Sequence, residues 1–454
     1  MTHGFRLTGE MGEFRRDPLG MLERVQREQG DFAPIRFGLS RVILLSHPAL
    51  VEEVLITRNQ WFRKNPATRR LGPLIGKGLL SSDGEAWKRQ RRLTQPAFHR
   101  ARVNAASEVI VEYAHRQAAA WWSGEVRDVH QDMMELTLQI ACKTFFGADV
   151  ASDLAVVREA TKVVGEHFLS RLTSLLFVLP DWVPTPGNRR FMRAIGQLDA
   201  LVYRIIRERG ASAAGGNEPR GLDLLSMLLE SDMTELEVRD EVMTFFMAGH
   251  ETTALALTWG LYLLSLHPEA TRRLVEEIDA VLEGRPPTLD DVPRLVYTRA
   301  VVDETLRMYP PAYLMGREAL VDCQIGGRPV RRGTTLLMSQ WLIHHDPRFH
   351  DEPSQFRPER WLDAPKQPTS AAGTTALPRF AYFPFGGGQR QCIGNAFAQL
   401  EAVLVLACLL QRVNFEVVAE QRIEPQALVT LRPKWGLKMV VTERRAAAVP
   451  AAAR

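Results

Sequence analysis

The run FPFGGGQRQCIG, residues 383–394, carries the most information in this chain. We assign its three consecutive glycines, Gly386–Gly388, to turns with positive φ and to a close approach of the backbone to something flat or bulky, not to packing. Cys392 is expected at the start of a helix, where free N–H groups and the helix dipole lower a thiol pKa. Arg390 adds positive charge nearby. The alternative, a buried structural cysteine, is what we assign to Cys142 and Cys408.

The composition excludes several classes of protein. The 454 residues are 45% hydrophobic and 24% charged, which is ordinary for a globular protein and not for a disordered or fibrous one. The balance of 57 Lys+Arg against 53 Asp+Glu gives no general case for binding nucleic acid. Four widely spaced cysteines without a CxxC pair indicate neither a disulfide framework nor a Cys-rich zinc site. A reducing, cytoplasmic compartment is therefore expected.

Helical patterning dominates the chain, which predicts a mainly α fold with a minor β part in a single domain over residues 1–454. Extended patterns lie at 32–45 and 314–337, the second around turn formers that include Gly316. Residues 211–220 and 363–377 have the composition of loops, and the tail 446–454 is expected to be frayed.

Two helices begin with capping-box spacing. Ser82–Glu85 is the first such box, and Pro96 ends the helix that it opens, so Trp87 and Arg91 share one face at i,i+4. Thr234–Glu237 is the second, opening a helix that lasts until His267-Pro268 and measures about 50 Å.

A membrane anchor is not expected. Residues 1–30 are polar and charged and contain no signal-peptide core. Residues 242–266 are apolar except for His250 and Glu251, and a bilayer would bury both of these at a cost of several kcal/mol. The central helix of a globular protein explains the same run more simply.

The middle of this long helix contains Ala248-Gly249-His250-Glu251-Thr252-Thr253. A zinc hydrolase would need a second histidine at position 254, where the chain has Ala254. A core helix whose threonines bond backbone carbonyls is the other interpretation, but it leaves a carboxylate in the most apolar helix unexplained.

Three further charged patterns have competing interpretations. Glu304 and Arg307 lie at i,i+3 on a helix that runs from about Arg294 to Pro310, and such pairs are usually solvated. The run Trp87–Arg92 could pass for a nucleic-acid patch, although a solvated helix face is commoner. The stretch His344-His345-Asp346 is interpreted as a polar helix edge, and like His99 it is assigned no role.

With these motifs in view, Phe385-x-x-Gly388-x-Arg390-x-Cys392-x-Gly394 resembles the haem-binding signature of the cytochromes P-450, the haem-thiolate monooxygenases. The resemblance covers residues 17 to 438. It implies the cytochrome P-450 fold, a haem b cofactor and Cys392 as the axial thiolate, in a loop that includes Phe385, Gly386 and Gly394.

The resemblance also gives roles to the other motifs. Glu304 and Arg307 resemble the ExxR helix, and with Arg360 of the segment Pro358–Trp361 they would form a buried charge triad, with Trp361 in place of the usual Phe. Gly249 would remove bulk above the iron, Thr252 would hydrogen-bond dioxygen or water, and Glu251 would relay protons. The expected ligands of the haem propionates are Trp87, Arg91, Arg317 and Arg390.

Substrate and partners follow from the same resemblance. The pocket would contain Thr244, Ala248, Ala312, Tyr313, Leu314 and Val429, with contributions from residues 67–80 and a lid at 168–182, and its apolar character predicts a lipophilic substrate. Fatty acids, terpenoids or carotenoids, and polyketides all fit. Electrons would come from NAD(P)H through a separate reductase and a ferredoxin or flavodoxin, which Lys88, Arg89 and Arg92 would help to dock. The protein would be a monomer.

Two alternatives to a monooxygenase stay open at this stage. A peroxide-driven or non-oxygenating relative would share Cys392 but typically lacks the acid–alcohol pair that Glu251 and Thr252 provide. A haem-based gas sensor or carrier needs no proton relay, and it usually comes with an output domain.

Overall fold

The computed structural model describes residues 10–38, 40–173, 182–214, 223–362 and 377–444. Within them the α-helices are α1 (Met11–Arg16), α2 (Pro18–Gln29), α3 (Pro48–Glu52), α4 (Pro66–Arg69), α5 (Gly72–Ile75), α6 (Gly84–Thr94), α7 (Arg100–Ala119), α8 (Val129–Phe146), α9 (Leu154–Thr173), α10 (Pro186–Ala214), α11 (Leu224–Leu229), α12 (Glu235–Leu266), α13 (Pro268–Leu282), α14 (Val296–Met308), α15 (Gln340–His344) and α16 (Asn395–Arg412).

The strands are β1 (Phe32–Phe37), β2 (Ser40–Leu45), β3 (Phe62–Lys64), β4 (Glu125–Asp128), β5 (Met315–Ala319), β6 (Cys323–Ile325), β7 (Arg328–Val330), β8 (Thr335–Met338), β9 (Val413–Val417), β10 (Pro425–Ala427), β11 (Leu431–Pro433) and β12 (Lys438–Glu443). They form a five-stranded sheet in the order β1-β2-β8-β5-β3, a three-stranded sheet β4-β12-β9, and the pairs β10-β11 and β6-β7. The mainly α architecture with minor β parts is as predicted.

Helix α12 is the central element of the fold. It begins where the Thr234 hydroxyl accepts from the Glu237 N–H and the Glu237 carboxylate accepts from the Thr234 N–H at 2.8 Å, and it ends where Pro268 starts α13. It packs along α8 and also contacts α14 and α16. Contact on several sides explains why its apolar residues are not confined to one face.

Helix α16 is buried almost completely. Residues 400–410 are all buried, and α16 packs mainly against α7. The loop of residues 384–394 leads directly into α16, so this packing fixes the position of the loop relative to α12.

Several expectations about local structure are wrong. Ser82 does not cap α6, because its hydroxyl donates to Gln90 and the helix starts after Asp83. Gly316 lies inside β5 and forms no turn. Residues 211–214 belong to α10, whereas the rest of that expected loop, residues 363–376 and the tail 446–454 lie outside the described residues.

In the described parts of the chain, no helix is both long and apolar enough to cross a bilayer.

Candidate active site

A cavity of about 1240 Å³ separates α12 from the loop of residues 384–394. Its walls are mainly apolar. The sequence-predicted residues that line it are Trp87, Arg91, Thr244, Ala248, Gly249, Glu251, Thr252, Ala312, Tyr313, Leu314, Arg317, Phe385, Gly386, Arg390, Cys392, Gly394 and Val429. The predicted triad of Glu304, Arg307 and Arg360 lies elsewhere.

The loop that carries Cys392 is folded tightly. The Cys392 N–H donates to the Phe385 carbonyl at 3.0 Å. Gly386 and Gly388 have φ of +67° and +69°, as predicted, whereas Gly387 is extended. The expectation that these glycines serve no packing purpose is wrong. A Cβ on Gly387 would overlap the Phe380 ring, and one on Gly388 would overlap the Leu55 carbonyl oxygen.

Cys392 lines the cavity and is exposed to it, while the surrounding protein atoms desolvate its thiol. Helix α16 begins at Asn395, three positions later than expected for a cysteine at the helix start. Burial raises the pKa of the Cys392 thiol, and this outweighs the lowering by the Gly394 N–H and by Arg91. The prediction of a lowered thiol pKa is therefore wrong for the protein alone, because desolvation is the larger effect.

One end of the cavity is lined by buried cations. Arg317 is only 8% exposed and bonds the Gly316 carbonyl, and burial lowers its pKa to about 10. Burial and the charges of Arg317 and Arg390 hold the pKa of Lys64 well below its usual value. The Arg91 guanidinium bonds the Gln391 carbonyl at 3.2 Å. Within the described residues, none of Arg317, Lys64 and Arg91 has an ion pair with a carboxylate.

Arg390 differs from these three cations. It pairs with Asp83 at 2.8 Å, donates to the Ser82 carbonyl at 2.8 Å and lies over the Trp87 ring at 3.9 Å. Burial lowers its pKa to about 10. Asp83 acts on Arg317, Lys64 and Arg390 together, and this excess of cations favours an anionic ligand at this end of the cavity.

Sequence reasoning missed Lys64. It comes next to Arg317 because β3 pairs antiparallel with β5, which aligns Lys64 with Arg317. No spacing rule connects positions 253 residues apart, so only the sheet register could reveal this neighbour.

The middle of α12 forms the opposite wall. The Thr252 hydroxyl donates to the Ala248 carbonyl at 3.0 Å, and the Glu251 carboxylate accepts from the Thr430 hydroxyl at 2.6 Å. Gly249 lines the cavity, but a Cβ there would lie 3.7 Å from Ala141 and Phe145, at ordinary contact distance. A side chain at position 249 would therefore contact α8, and the expectation that Gly249 leaves room above a cofactor stays a prediction.

Glu304, Arg307 and Arg360 form a buried charge cluster. Two nitrogens of Arg307 bond the two Glu304 oxygens at 2.9 Å, and Arg360 bonds Glu304 at 2.9 Å. Burial raises the pKa of Glu304, but the hydrogen bonds and charge of Arg307 outweigh it, so the net shift is downward. Trp361 donates to Glu304 at 2.8 Å through its indole N–H, a bond that Phe could not make.

The stretch His344-His345-Asp346 is not the polar helix edge that was expected. His344 is fully buried, and burial holds its pKa well below the usual value. Its Nε2 accepts from the Phe383 N–H at 3.0 Å, at the start of the cysteine loop, and its carbonyl accepts from Arg307 at 2.9 Å. His344 therefore links the charge cluster to the loop of Cys392.

Two other expectations need correction. Lys88 pairs with Glu85 at 2.7 Å and Arg89 pairs with Asp232 and Glu237, so two of the three proposed docking cations are neutralised and Arg92 stays exposed. Of the expected lid, Phe168 lines the cavity and Trp182 is 80% exposed, while residues 174–181 lie outside the described residues.

The zinc interpretation fails on geometry as well as on spacing. In the described part of the chain, no group of three or more His, Cys, Asp or Glu side chains could hold a metal ion. His250 is buried with its Nδ1 2.6 Å from the Phe246 carbonyl, and burial lowers its pKa.

Comparison with known proteins identifies the class. The family model Cytochrome P450 matches residues 3–439. The chain is 36% identical to cyclooctatin synthase of Streptomyces melanosporofaciens, covering 94% of this chain and 92% of the relative. It is 36% identical to cyclooctat-9-en-7-ol 5-monooxygenase of the same organism, covering 89% and 87%. It is 33% identical to pentalenene oxygenase of Streptomyces avermitilis, covering 96% of each chain.

The chain therefore belongs to the cytochrome P450 family. It is a haem-thiolate monooxygenase that acts on a lipophilic small molecule, as the sequence motifs predicted. The fold described above is accordingly the cytochrome P450 fold.

Proposed function

We propose that Cys392 is the axial ligand of a haem b whose propionates bind the cationic end of the cavity. The buried Arg317 and the half-buried Lys64, neither of which has a carboxylate ion-pair partner in the described residues, are the observation that carries this proposal, because two propionates would supply the missing charge. Arg91, Arg390 and Trp87 would complete the propionate site. Coordination to iron would also favour the Cys392 thiolate, which burial alone disfavours.

The bound haem supplies the one-electron chemistry that activates dioxygen, and the protein contributes binding, orientation and protons. Gly386 and Gly394, which line the cavity, would let the backbone approach the cofactor, and Phe385 would contact it. Glu304, Arg307 and Arg360 fix the loop before Cys392 through His344.

Glu251 and Thr252 are proposed to move protons. Both line the cavity on the side opposite Cys392. The Thr252 hydroxyl can turn from the Ala248 carbonyl toward a ligand, while Glu251 lies half-buried at the edge, where it can exchange protons with solvent. Gly249 would leave its part of the cavity wall free of a side chain beside the cofactor.

The substrate is proposed to be a terpenoid that the enzyme hydroxylates or epoxidises. Ala248, Ala312, Leu314 and Val429 present apolar surface to the cavity, whereas the Tyr313 hydroxyl is used in a hydrogen bond to the Leu428 carbonyl at 3.0 Å. The Thr244 hydroxyl likewise donates to the Asp240 carbonyl at 2.7 Å. The relatives named for cyclooctat-9-en-7-ol and pentalenene favour a terpenoid over a fatty acid or a polyketide.

Electrons are proposed to arrive from NAD(P)H through a separate reductase and a ferredoxin or flavodoxin. Arg92, exposed on α6, is the cation of the Trp87–Arg92 run best placed for an acidic donor, because Lys88 and Arg89 are already paired. The protein is proposed to act as a monomer.

The first experiment is the carbon monoxide difference spectrum of the dithionite-reduced protein, with Cys392→Ala beside wild type. A strongly red-shifted Soret band that disappears in the variant supports thiolate ligation. An ordinary haem–histidine band would favour a gas-binding protein, and a folded protein without haem would overturn the proposal.

The substrate class is tested by the Soret shift on adding pentalenene, cyclooctat-9-en-7-ol, a long-chain fatty acid and a macrolide. We expect a shift with a terpenoid and oxygenated product in the presence of a redox system. A response to the fatty acid or the macrolide alone would contradict the terpenoid assignment.

A further inference from the structure

The hairpin β10–β11 is fastened to its surroundings just outside its apex. The Leu428 carbonyl accepts from the Tyr313 hydroxyl at 3.0 Å, and the Leu431 N–H donates to the Pro311 carbonyl at 3.0 Å. The Leu431 carbonyl accepts from Trp259 of α12 at 2.9 Å. These bonds leave Val429 and Thr430 as the part of the hairpin between the anchored positions.

The two apex residues contact different things. Val429 is 42% exposed and lines the cavity, so a ligand in the cavity would touch it. Thr430 is only 8% exposed, and its hydroxyl donates to the Glu251 carboxylate at 2.6 Å. Val429, which lines the cavity, is therefore adjacent in the chain to Thr430, which hydrogen-bonds Glu251 of α12.

Among the described residues, the Thr430 hydroxyl is the group that hydrogen-bonds the Glu251 carboxylate directly. Arg432 and the buried His130 are close enough to interact with Glu251 electrostatically, yet neither forms an ion pair with it in this part of the chain. The Arg432 guanidinium instead donates to Gln426 at 3.3 Å. Within the described residues, the hydrogen bonding of the Glu251 carboxylate consequently depends on the Thr430 hydroxyl.

We propose that Thr430 is a positioning residue that couples the placement of Glu251 to occupancy of the cavity. The proposal rests on the proposed role of Glu251 in moving protons. A ligand that presses on Val429 displaces the apex, and Thr430 moves with its neighbour. Glu251 then changes its hydrogen bonding beside Thr252, so that proton entry accompanies substrate binding and reducing equivalents are not lost as peroxide.

Three variants separate the steps of this argument. Thr430→Val removes the donor with little change of shape, Thr430→Ser keeps it, and Val429→Ala keeps the hydrogen bond but removes the contact with the ligand. The Glu251 carboxylate is followed in the haem-loaded protein by its infrared band, assigned by subtracting the spectrum of Glu251→Gln.

Without ligand, we expect the band to shift in Thr430→Val and to stay at the wild-type position in Thr430→Ser and Val429→Ala. An unchanged band in Thr430→Val would overturn the proposal. This comparison requires neither a substrate nor turnover, so it holds even if the terpenoid assignment fails.

With cyclooctat-9-en-7-ol as the probe, wild type and Thr430→Ser should change this band on binding, whereas Val429→Ala should respond weakly. The ratio of product to peroxide should fall about three- to ten-fold in Thr430→Val, the range expected for one hydrogen bond, and recover in Thr430→Ser. A wild type that lacks the red-shifted carbon monoxide band would refute the proposed function. A Thr430→Val variant equal to wild type in band and ratio would refute only the present inference.

Discussion

Two buried groups of charged side chains lie at either end of the segment that leads to Cys392, and they differ in how their charges are balanced. The two Glu304 carboxylate oxygens together accept hydrogen bonds from Arg307, Arg360 and Trp361. The other Arg307 N–H groups donate to backbone carbonyls. Around Arg317, the cations Lys64 and Arg91 have no carboxylate within ion-pair distance in the described chain. In the first group one carboxylate binds both cations directly, although one Arg360 nitrogen has no hydrogen-bond partner. In the second group the cations around Arg317 await an anionic ligand.

The difference teaches how to distinguish a structural charge cluster from a binding site. In a buried cluster whose charges bind one another directly, removing one member leaves its partners uncompensated and destabilises the fold. An unsaturated cluster that lines a cavity destabilises the empty protein and so favours an anion in that cavity. The following predictions test this contrast, beginning with the largest expected effect.

Glu304→Gln should abolish haem incorporation and cost about 3–5 kcal/mol in the free energy of unfolding, because it leaves two buried guanidinium groups without a counter-charge. Chemical denaturation and the haem absorbance of the purified protein measure the two effects. Glu359→Gln, on a half-exposed neighbour paired with Arg273, is the matched control and should lose no haem. Normal haem content in Glu304→Gln would show that the cluster does not support the cysteine loop.

Arg317→Met should have opposite effects on the haem-free and the haem-bound protein. Without haem, it removes an uncompensated buried cation, so the free energy of unfolding should stay the same or rise. With haem, it removes a charged hydrogen bond to a propionate worth about 1.5–3 kcal/mol, so haem affinity should fall about 10- to 100-fold.

The measurement is haem transfer to an apo-globin acceptor, together with denaturation of the haem-free protein. Arg317→Lys should retain part of the affinity, since it preserves the charge but not the bidentate geometry. Equal destabilisation of both forms by Arg317→Met would mean that Arg317 is structural.

Lys64 should make the haem-free protein more stable as pH rises. Its pKa is lowered in the folded state, so above that folded pKa and below about 10.4 the unfolded chain binds more protons. The free energy of unfolding should then rise by up to ~1.4 kcal/mol per pH unit. Lys64→Met should remove this slope in urea denaturations across the alkaline range, and so should bound haem, whose propionates stabilise the charged amine. A slope that survives in Lys64→Met would assign it to another group.

Trp361→Phe should have the smallest effect, a loss of about 1 kcal/mol in the free energy of unfolding with haem content preserved. It removes one donor to Glu304, while Arg307, Arg360 and the Arg357 N–H continue to satisfy the carboxylate. Thermal unfolding of the loaded protein measures the change. Loss of haem in this variant would mean that the indole bond, and not the arginines, orients Glu304.

Much of the architecture was accessible from local patterns. The capping box at Thr234 and the proline at position 268 bound α12 as predicted, since both act through neighbours a few residues away. The strands at 32–45 followed from alternation and apolar content, with Ser40–Leu45 buried over its last four positions. Ser82 does not cap α6, because its hydroxyl bonds the Gln90 side chain and the helix starts after Asp83.

The candidate active site likewise has features that short sequence patterns predict and features that depend on tertiary contacts. The sequence by itself determined the cysteine loop with its positive-φ glycines, the long helix with Glu251 and Thr252, and the Glu304–Arg307 pair, because each depends on short spacings in one element. Only the tertiary structure decided that Lys64 joins Arg317, that His344 supports Phe383 and that Thr430 holds Glu251. These contacts join positions far apart in the chain, and their geometry is set by sheet register and by the packing of helices and loops, which local propensity does not encode.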